Sequence, residues 1–441
     1  MALYPPVISK FWNSPESWTL KQYQSRGEYW GYNAAKKAIT EFEPKALTTY
    51  VKDSNLRGRG GAGFSTGLKW TFLPENGKPR YLAVNADESE PGTFKDRQIL
   101  AYDPHQLIEG IIICCWAIGA KHAYVFVRGE FVREIKRLQS AIDECYAAGI
   151  LGDDVMKLGK GFKLDITVLR GAGAYICGEE TGLLSAAEGK RAYPKIKPPF
   201  PAVEGFFRFP TIVNNVETLS NLPHIIGKGK EWYMQQGPAV GPGPKLYCIS
   251  GHVKKPGVYE APLGTTLRTL IDDYAGGVIG TLKAIIPGGS SMPIFTPDLL
   301  DTPMDFDSVR AKGSFLGSAG VIVMNDTVCM VNALLNLAKF YHHESCGQCT
   351  PCREGLGWLE KLMHRLEFGH AKPNDLDLIK EVCGMIAKRT ICLLSDSLIM
   401  PIESYMKAFF KEFEYHVKEK KCQTGGQPGK WAPAEEPALA R

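Results

Sequence analysis

RYLAVN at residues 80–85, AYVFV at 123–127 and LDITVL at 164–169 are short apolar runs that are separated by glycine-rich loops and helical patterns. Apolar runs of this length between turn-forming residues are typical of buried strands. Strands that alternate with helices build a layered α/β fold. We therefore predict an α/β domain over residues 51–243, preceded by a polar, partly helical lead-in over residues 1–50.

The pattern changes twice beyond this region. The loop GPAVGPGP at residues 237–244 predicts a boundary, and the stretches that follow predict a small α+β module over residues 244–330, with strands at 245–250 and 257–260 and a helix at 266–274. From residue 331 onward, apolar side chains recur in four stripes at helical spacing, which predicts a four-helix bundle over residues 331–418. The stripes consist of Val331, Leu334, Leu335 and Ala338; of Leu359, Leu362, Met363 and Leu366; of Ile379, Val382, Cys383 and Ile386; and of Ile402, Met406, Phe409 and Phe413. Residues 419–441 are rich in Gly and Pro and are predicted to be a mobile tail.

The composition of the 441 residues is that of an ordinary globular protein, with 44% hydrophobic and 22% charged residues. The formal charge of +5 is too small to indicate nucleic-acid binding. The most apolar stretch, residues 107–120, contains Glu109 and is shorter than the roughly 20 residues that a bilayer-spanning helix needs. We predict a buried core helix there and no direct membrane contact. Because no leader pattern is visible, we expect a location in the cytosol or in an organelle.

The motif CGQCTPC at residues 346–352 is the most specific local signal in the chain. Three thiolates on one tight loop suit three corners of a [4Fe–4S] cluster, whereas zinc-binding cysteines usually come in separated pairs. An iron–sulfur site is therefore favoured, with zinc as the alternative. Cys392 is the predicted fourth ligand because it falls in a break between two helical patterns. Cys383 lies on an apolar stripe, and Cys422 lies in the predicted tail.

The glycine-rich loop GRGGAG at residues 58–63 matches the pattern G-x-G-x-x-G. It follows the polar stretch VKDSNLR at residues 51–57, so a standard Rossmann βαβ unit is not predicted here. Bare backbone N–H groups can still hold a phosphate, and Lys69 adds positive charge. Four further polar loops lie at residues 85–93, 170–181, 195–201 and 214–218. Together the five loops offer phosphate donors, aromatic faces and carboxylates, and they predict a nucleotide pocket.

Seven motifs, in order along the chain, resemble those of the NADH-binding, flavin-carrying subunit of respiratory complex I, the family called NuoF in bacteria and the 51 kDa subunit in mitochondria. They are GRGGAGFSTGLKW (58–70), NADESEPGTFKDR (85–97), RGAGAYICGEET (170–181), KPPFP (197–201), NNVET (214–218), PGGSS (287–291) and ESCGQCTPCREG (344–355). The resemblance covers about residues 15–415. It implies an atypical Rossmann-like domain that binds FMN and NADH, then a small ubiquitin-like (SLBB-type) module, then a four-helix domain with one [4Fe–4S] cluster.

The resemblance also implies roles for individual residues. FMN would lie against Gly58, Gly60, Lys69, Asn85, Asp87, Glu88, Tyr175, Gly178, Asn214, Asn215 and Thr218. NADH would lie against Gly61, Phe64, Lys69, Phe72, Glu90, Glu179, Glu180 and Phe200. Glu90 and Glu180 would border the nicotinamide and the flavin, and the reaction would require no acid–base residue. The cluster ligands would be Cys346, Cys349, Cys352 and Cys392.

The activity that the resemblance implies is that of an NADH dehydrogenase, the electron-input subunit of the NADH:quinone oxidoreductase, which acts as a translocase when complete. NADH would be oxidised by hydride transfer to FMN, and electrons would pass one at a time to the cluster. The implied partners are a small [2Fe–2S] subunit of the 24 kDa (NuoE) type and a large iron–sulfur subunit (NuoG type). The implied location is the peripheral arm of complex I, on the cytoplasmic side of the inner membrane or on the matrix side in a mitochondrion.

Two alternatives stay open. One is the diaphorase subunit of a soluble NAD-linked hydrogenase or formate dehydrogenase. The other is a non-catalytic, zinc-stabilised nucleotide-binding module.

Overall fold

A computed structural model describes residues 3–424 of the chain, which form two β-sheets and a set of helices. The strands are β1 (Tyr81–Ala86), β2 (His122–Val127), β3 (Asp165–Arg170), β4 (Thr211–Asn215), β5 (Pro244–Gly251), β6 (Gly257–Pro262), β7 (Leu282–Ile286) and β8 (Gly320–Asn325). The α-helices are α1 (Leu20–Gln24), α2 (Asn33–Glu41), α3 (Pro44–Asp53), α4 (Thr66–Trp70), α5 (Asp96–Tyr102), α6 (Pro104–Ile118), α7 (Val132–Ala147), α8 (Glu180–Ala187), α9 (Val216–Ser220), α10 (Leu222–Lys228), α11 (Lys230–Met234), α12 (Leu267–Thr269), α13 (Phe306–Ala311), α14 (Met330–His343), α15 (Thr350–Glu367), α16 (Asp375–Ile386) and α17 (Asp396–Glu419). Short 3-10 turns occur at Val155–Lys157, Tyr175–Gly178, Phe206–Arg208 and Pro297–Leu299, and a wider π turn occurs at Leu270–Tyr274.

The first sheet is parallel and has the strand order β3-β2-β1-β4. The three apolar runs of the sequence form β1, β2 and β3, each within one residue of its expected bounds. The sequence pattern did not predict β4. This strand ends in two polar residues, Asn214 and Asn215, which leave an apolar run too short to indicate a strand in the sequence.

The carboxyl ends of the four parallel strands meet at one edge of the first sheet. The strand β1 lies between β2 and β4, so the loops that follow β1 and β4 leave the sheet side by side. Ligands of open α/β sheets bind outside the carboxyl ends of the strands, where the strand order reverses. The fold therefore brings the loops after β1, β3 and β4 to one place.

The lead-in is part of the core of the α/β region. Helix α6 is buried almost all round, and it packs against α2, α3 and the first sheet. Its Glu109 accepts hydrogen bonds from the backbone N of Ala35, at 2.9 Å, and from the hydroxyl of Tyr23. Burial raises the pKa of Glu109 to about 7. The sequence predicts a polar lead-in because the residues on its exposed faces are polar. The face that packs on the core is apolar.

The second sheet is mixed and has the strand order β6-β5-β8-β7, with β5 and β8 parallel and the two outer pairs antiparallel. The expected strands form β5 and β6, and the expected helix begins as α12 and widens into the π turn. The sequence pattern did not predict β7, β8 or α13. The second half of this α+β region is therefore more regular than its sequence indicates.

Helices α14 to α17 share one apolar core. All members of the first three predicted stripes are buried, as are Ile402, Met406 and Phe413 of the fourth. Phe409 is only partly buried, because its backbone leaves the helical conformation at φ −125° and ψ 31°. Of the predicted tail, residues 425–441 lie outside the described residues. No helix within residues 3–424 is long and apolar enough to cross a membrane.

Candidate functional site

Two adjoining cavities lie at the carboxyl edge of the first sheet. The larger has a volume of about 930 Å³ and the smaller of about 250 Å³. Both are lined by Gly60, Asn85, Gly178, Glu179 and Asn215. The larger is also lined by Gly58, Gly61, Phe64, Lys69, Phe72, Glu180, Phe200, Asn214 and Thr218, and the smaller by Asp87, Glu88, Glu90 and Tyr175. The structure thus brings all the residues predicted to contact FMN or NADH to one pair of cavities.

The glycine loop at residues 58–63 forms part of the wall of the larger cavity. Gly61 has a φ of +136°, and a Cβ there would meet nothing within 4 Å, so the backbone faces open space. Gly60 has no room for a side chain, because a Cβ would lie 2.9 Å from the Cβ of Asn215. The hydroxyl of Thr66 lines the same cavity and is buried without a hydrogen-bond partner. Bare backbone and an unpaired hydroxyl suit a phosphate-bearing ligand.

Four charged side chains meet at the larger cavity. Lys197 Nζ lies 3.0 Å from Glu179 Oε1 and 2.8 Å from Glu180 Oε1. Lys69 Nζ lies 3.7 Å from Glu180 Oε2. Burial acts to raise the pKa of Glu180, but the two lysines outweigh it and hold that pKa below its usual range. Lys197 was not among the residues predicted from the sequence, although its motif KPPFP (197–201) pointed to this place.

Three phenyl rings line the larger cavity and remain accessible. The exposed fractions are 45% for Phe64, 50% for Phe72 and 57% for Phe200. The rings of Phe64 and Phe72 have centroids 6.0 Å apart. Exposed apolar side chains that lie together often mark a ligand-binding groove. They offer flat faces on which an aromatic ligand can stack.

Glu90 lies in a dense hydrogen-bond network at the smaller cavity. The Tyr175 hydroxyl donates to Glu90 Oε2 at 2.7 Å, and the backbone N and hydroxyl of Ser291 donate to Oε1 at 2.8 Å and 2.7 Å. Burial raises the pKa of Glu90. Because Glu180 lines only the larger cavity, the two carboxylates predicted to border the nicotinamide and the flavin sit in different cavities.

Asp87 and Glu88 differ in what their oxygens contact. Asp87 accepts from the Ser89 hydroxyl at 3.1 Å, and its Oδ1 is buried without a partner. Glu88 accepts from the backbone N of Lys95 at 2.9 Å and of Asp96 at 2.8 Å, and so caps the start of α5. Burial raises the pKa of both carboxyls to about 7. Asp87 therefore has an oxygen free for a ligand, whereas Glu88 is held by backbone.

A buried ion network supports the wall that the two cavities share. Lys95 Nζ lies 2.8 Å from Asp96 Oδ1 and 2.8 Å from Glu217 Oε2, and Lys245 Nζ lies 2.6 Å from Glu217 Oε2. Asp96 Oδ2 accepts from Asn215 Nδ2 at 2.7 Å. The sequence did not reveal this network, since its charges come from three separate segments. It holds in place the amide of Asn215, which lines both cavities.

The predicted cluster ligands Cys346, Cys349, Cys352 and Cys392 line one small cavity. Cys392 lies between α16 and α17, and Cys383 is buried within α16 and is not part of this lining. Burial raises the pKa of Cys352 and of Cys392 to about 11. Thiols in an apolar setting are stable as thiolates when metal charge compensates them. A set of four thiols fits an iron–sulfur cluster.

The cysteine cavity and the smaller of the two carboxyl-edge cavities share part of their lining. Ile176, Cys392 and Leu394 line both. A ligand in the smaller cavity and a cluster on the four cysteines would thus be separated by a single layer of side chains.

Comparison with known proteins identifies three matching family models. The Nuo51 FMN-binding domain matches residues 51–224, the SLBB domain matches residues 246–295, and the NADH-ubiquinone oxidoreductase-F iron–sulfur binding region matches residues 332–416. Each match falls on a region that the fold separates: the first sheet, the second sheet and the C-terminal helices.

Curated relatives match nearly the whole chain. A NuoF-type subunit of the NADH-quinone oxidoreductase of Rhizobium meliloti (strain 1021) is 50% identical over 423 residues, which are 95% of this chain and 99% of the relative. The corresponding NADH-quinone oxidoreductase subunit of Mycobacterium bovis is 50% identical over 424 residues, which are 95% of this chain and 94% of the relative. The crystal structure of an NAD+-reducing [NiFe]-hydrogenase in the H2-reduced state has a chain that matches with a TM-score of 0.81 and 33% identity. That match covers 90% of this chain and 66% of the hydrogenase chain. On the strength of these matches, the chain belongs to the NuoF family of NADH-quinone oxidoreductase subunits.

Proposed function

We propose that this chain is the subunit through which electrons from NADH enter an NADH:quinone oxidoreductase, with FMN and one [4Fe–4S] cluster as cofactors. One observation carries the proposal: the smaller carboxyl-edge cavity, which adjoins the larger one, has Ile176, Cys392 and Leu394 in common with the four-cysteine cavity. An enzyme that passes electrons from a flavin to a cluster needs the two close together, and a nucleotide-binding module without redox chemistry does not.

The proposed flavin site uses the smaller cavity, the wall that the two cavities share and the adjoining part of the larger cavity. Gly58, Gly60 and Lys69 would hold the phosphate, and the unpaired Asp87 Oδ1 would accept from the flavin or its ribityl chain. The further FMN contacts predicted from the sequence, which are Asn85, Glu88, Tyr175, Gly178, Asn214, Asn215 and Thr218, complete the lining. The chemistry that bound FMN supplies is the acceptance of two electrons at once and their release one at a time.

The proposed NADH site is the larger cavity. Lys69 and Lys197 would attract the pyrophosphate, because their charges lie on the wall of that cavity. Glu179 and Glu180 would accept from hydroxyl or amide groups of NADH, and Gly61 leaves room for its approach. Phe64, Phe72 and Phe200 would stack on the adenine. Glu90, held by Tyr175 and Ser291, would set the charge beside the reacting rings without exchanging a proton with them.

The domain division predicted from the sequence is part of the proposal. In it, residues 51–243 bind FMN and NADH, residues 244–330 form a ubiquitin-like module, and residues 331–418 form a four-helix bundle that holds the cluster on Cys346, Cys349, Cys352 and Cys392. The mixed sheet β6-β5-β8-β7 and the common core of α14 to α17 support these assignments.

Membership of the family implies assembly with other subunits. We propose as partners a small [2Fe–2S] subunit of the NuoE type and a large iron–sulfur subunit of the NuoG type, on the peripheral arm of the complex at the cytoplasmic or matrix face of the membrane. One exposed apolar side chain beside the cysteine cavity supports an electron-accepting partner there: Leu393 is 70% exposed and directly follows Cys392.

The structural match to a chain of the NAD+-reducing hydrogenase supports a second candidate, the diaphorase subunit of a soluble hydrogenase. Fractionation of cells that carry a tagged chain separates the two. Association with membrane-bound NADH:quinone reductase activity supports the first, and association with soluble, hydrogen-dependent NAD+ reduction supports the second.

The first test of the proposed activity is an anaerobic absorption spectrum of the purified chain before and after addition of NADH. We expect a flavin spectrum above a broad iron–sulfur absorption, with both bleached by NADH and much less by NADPH. A chain that stays colourless after reconstitution with FMN, iron and sulfide would refute the proposal.

A further inference from the structure

A second group of metal-binding side chains lies at the far end of the C-terminal helices. Cys329 precedes α14, His416 lies near the end of α17, and Cys422 follows α17. One ligand atom from each lies within 4.8 Å of the other two. None of the three lines the cavity of the four-cysteine motif. This group, which we call the Cys329 cluster, is therefore separate from the proposed iron–sulfur site.

The distances in the Cys329 cluster fit a tetrahedral ion. Cys329 Sγ lies 3.4 Å from His416 Nε2 and 3.8 Å from Glu367 Oε2. Zinc binds sulfur at about 2.3 Å and nitrogen or oxygen at about 2.0–2.2 Å, so ligand atoms at two corners of its tetrahedron lie about 3.5 Å apart. Glu367 is buried beside Cys329 and His416, but it is not one of the three residues whose ligand atoms lie within 4.8 Å of one another.

The neighbours of the cluster orient its side chains toward a common centre. His416 Nδ1 lies 3.3 Å from the carbonyl oxygen of Leu366, which can only accept, so the proton is on Nδ1 and the lone pair of Nε2 faces Cys329. Glu367 Oε1 accepts from Asn332 Nδ2 at 2.9 Å, and its Oε2 lies 3.9 Å from His416 Nδ1, so this carboxylate lies beside the imidazole at Nδ1, the nitrogen that does not face Cys329. A histidine whose second nitrogen donates to a carbonyl is a common arrangement at zinc sites.

We propose that Cys329, His416 and Cys422 bind one zinc ion. Two thiols and an imidazole suit zinc and do not suit the hard cations magnesium and calcium. Binding releases the two thiol protons to solvent. The ion would fasten the end of α17, and the segment after it, to the start of α14.

The test is made on the full chain, purified anaerobically with its cofactors, incubated with zinc and passed through a desalting column. We expect about one zinc ion per chain in addition to the iron, and a zinc K-edge X-ray absorption spectrum with two sulfur ligands at about 2.3 Å. The K-edge is specific for zinc, so the iron of the cluster does not obscure it.

The substitution Cys422→Ala should lower zinc retention at least about tenfold while leaving the iron content unchanged. Cys422 is only half-buried, so its loss disturbs packing little. The matched control is Cys383→Ala, which removes a buried cysteine of the same region and should leave both metals unchanged.

Three results would each overturn the proposal. The first is a zinc-loaded chain that keeps no zinc after desalting, and the second is equal zinc retention by Cys422→Ala and the unmodified chain. The third is a Cys329–Cys422 disulfide found by mass spectrometry in the anaerobically purified chain.

Discussion

Replacement of Phe200 by alanine should weaken NADH binding and leave the turnover number unchanged. Phe200 lines the larger cavity with 57% of its surface exposed, so its ring is available to stack on the adenine. Stacking of a base on an aromatic ring contributes about 1–3 kcal/mol. The ring sits at an open wall and not in a closed slot, which favours the lower part of that range. A loss of about 1–2 kcal/mol raises KM about 5- to 30-fold.

The assay is steady-state NADH oxidation with an artificial electron acceptor, together with a calorimetric Kd for NAD+, because KM equals a binding constant only when chemistry is slow. The control is Phe207→Ala. Phe207 is 56% exposed and lines neither of the two cavities, so its loss removes a similar ring without touching the site. An unchanged KM and Kd in Phe200→Ala, or equal shifts in both variants, would refute the stacking role.

Three further predictions concern the cysteines and the charged groups. Cys349→Ser should abolish the electron paramagnetic resonance signal of the reduced cluster but keep FMN and its bleaching by NADH; loss of FMN as well would show that the two sites are not independent. Lys197→Gln should raise KM for NADH about fivefold, because a partly exposed ion pair contributes about 1 kcal/mol. The substitution should also weaken the salt dependence of KM. An unchanged salt dependence would contradict the role of this lysine. Burial raises the pKa of Asp87 to about 7, above its value in the unfolded chain, so its contribution to stability is lost as the pH rises from about 4 through 7. Asp87→Asn should therefore raise the thermal midpoint more at pH 8 than at pH 5, and an equal change at both would show that Asp87 is ionised in the folded chain.

The loops that line the cavities could be predicted from the sequence because short-range chemistry selects their residue types, whereas the individual FMN and NADH contacts were implied by the resemblance to the NuoF family. Gly60 and Gly61 sit where a bare backbone is needed, and the cysteines of residues 346–352 have a spacing that few other sites use. Cys392 could be chosen over Cys383 by periodicity alone, since one falls between helices and the other on a buried face. In each case the signal lies within one turn or one loop.

Features that depend on long-range packing could not be predicted. The ion network joins Lys95, Glu217 and Lys245, which no local pattern connects. The sequence pattern predicts a tail at Cys422, yet Cys422 lies beside Cys329, because α17 runs back to the start of α14. Which residues meet after a helix of this length depends on how the helices pack, and that information is spread over the whole core.

The 3-10 turn at Tyr175–Gly178 explains how three regions of the chain hold the proposed redox sites in a fixed arrangement. The Tyr175 hydroxyl donates to Glu90, while its backbone N donates to Glu344 Oε2, at 2.9 Å, just before the cysteine motif. Ile176 packs into the core of the C-terminal helices, and Gly178 lines both carboxyl-edge cavities. These contacts hold the turn from both of its neighbouring regions. Electron transfer depends on a fixed distance between the flavin and the cluster, so the side of the site at Ile176 has to be rigid. NADH binding requires an open cavity, so the exposed phenyl rings on the other side are free to change conformation.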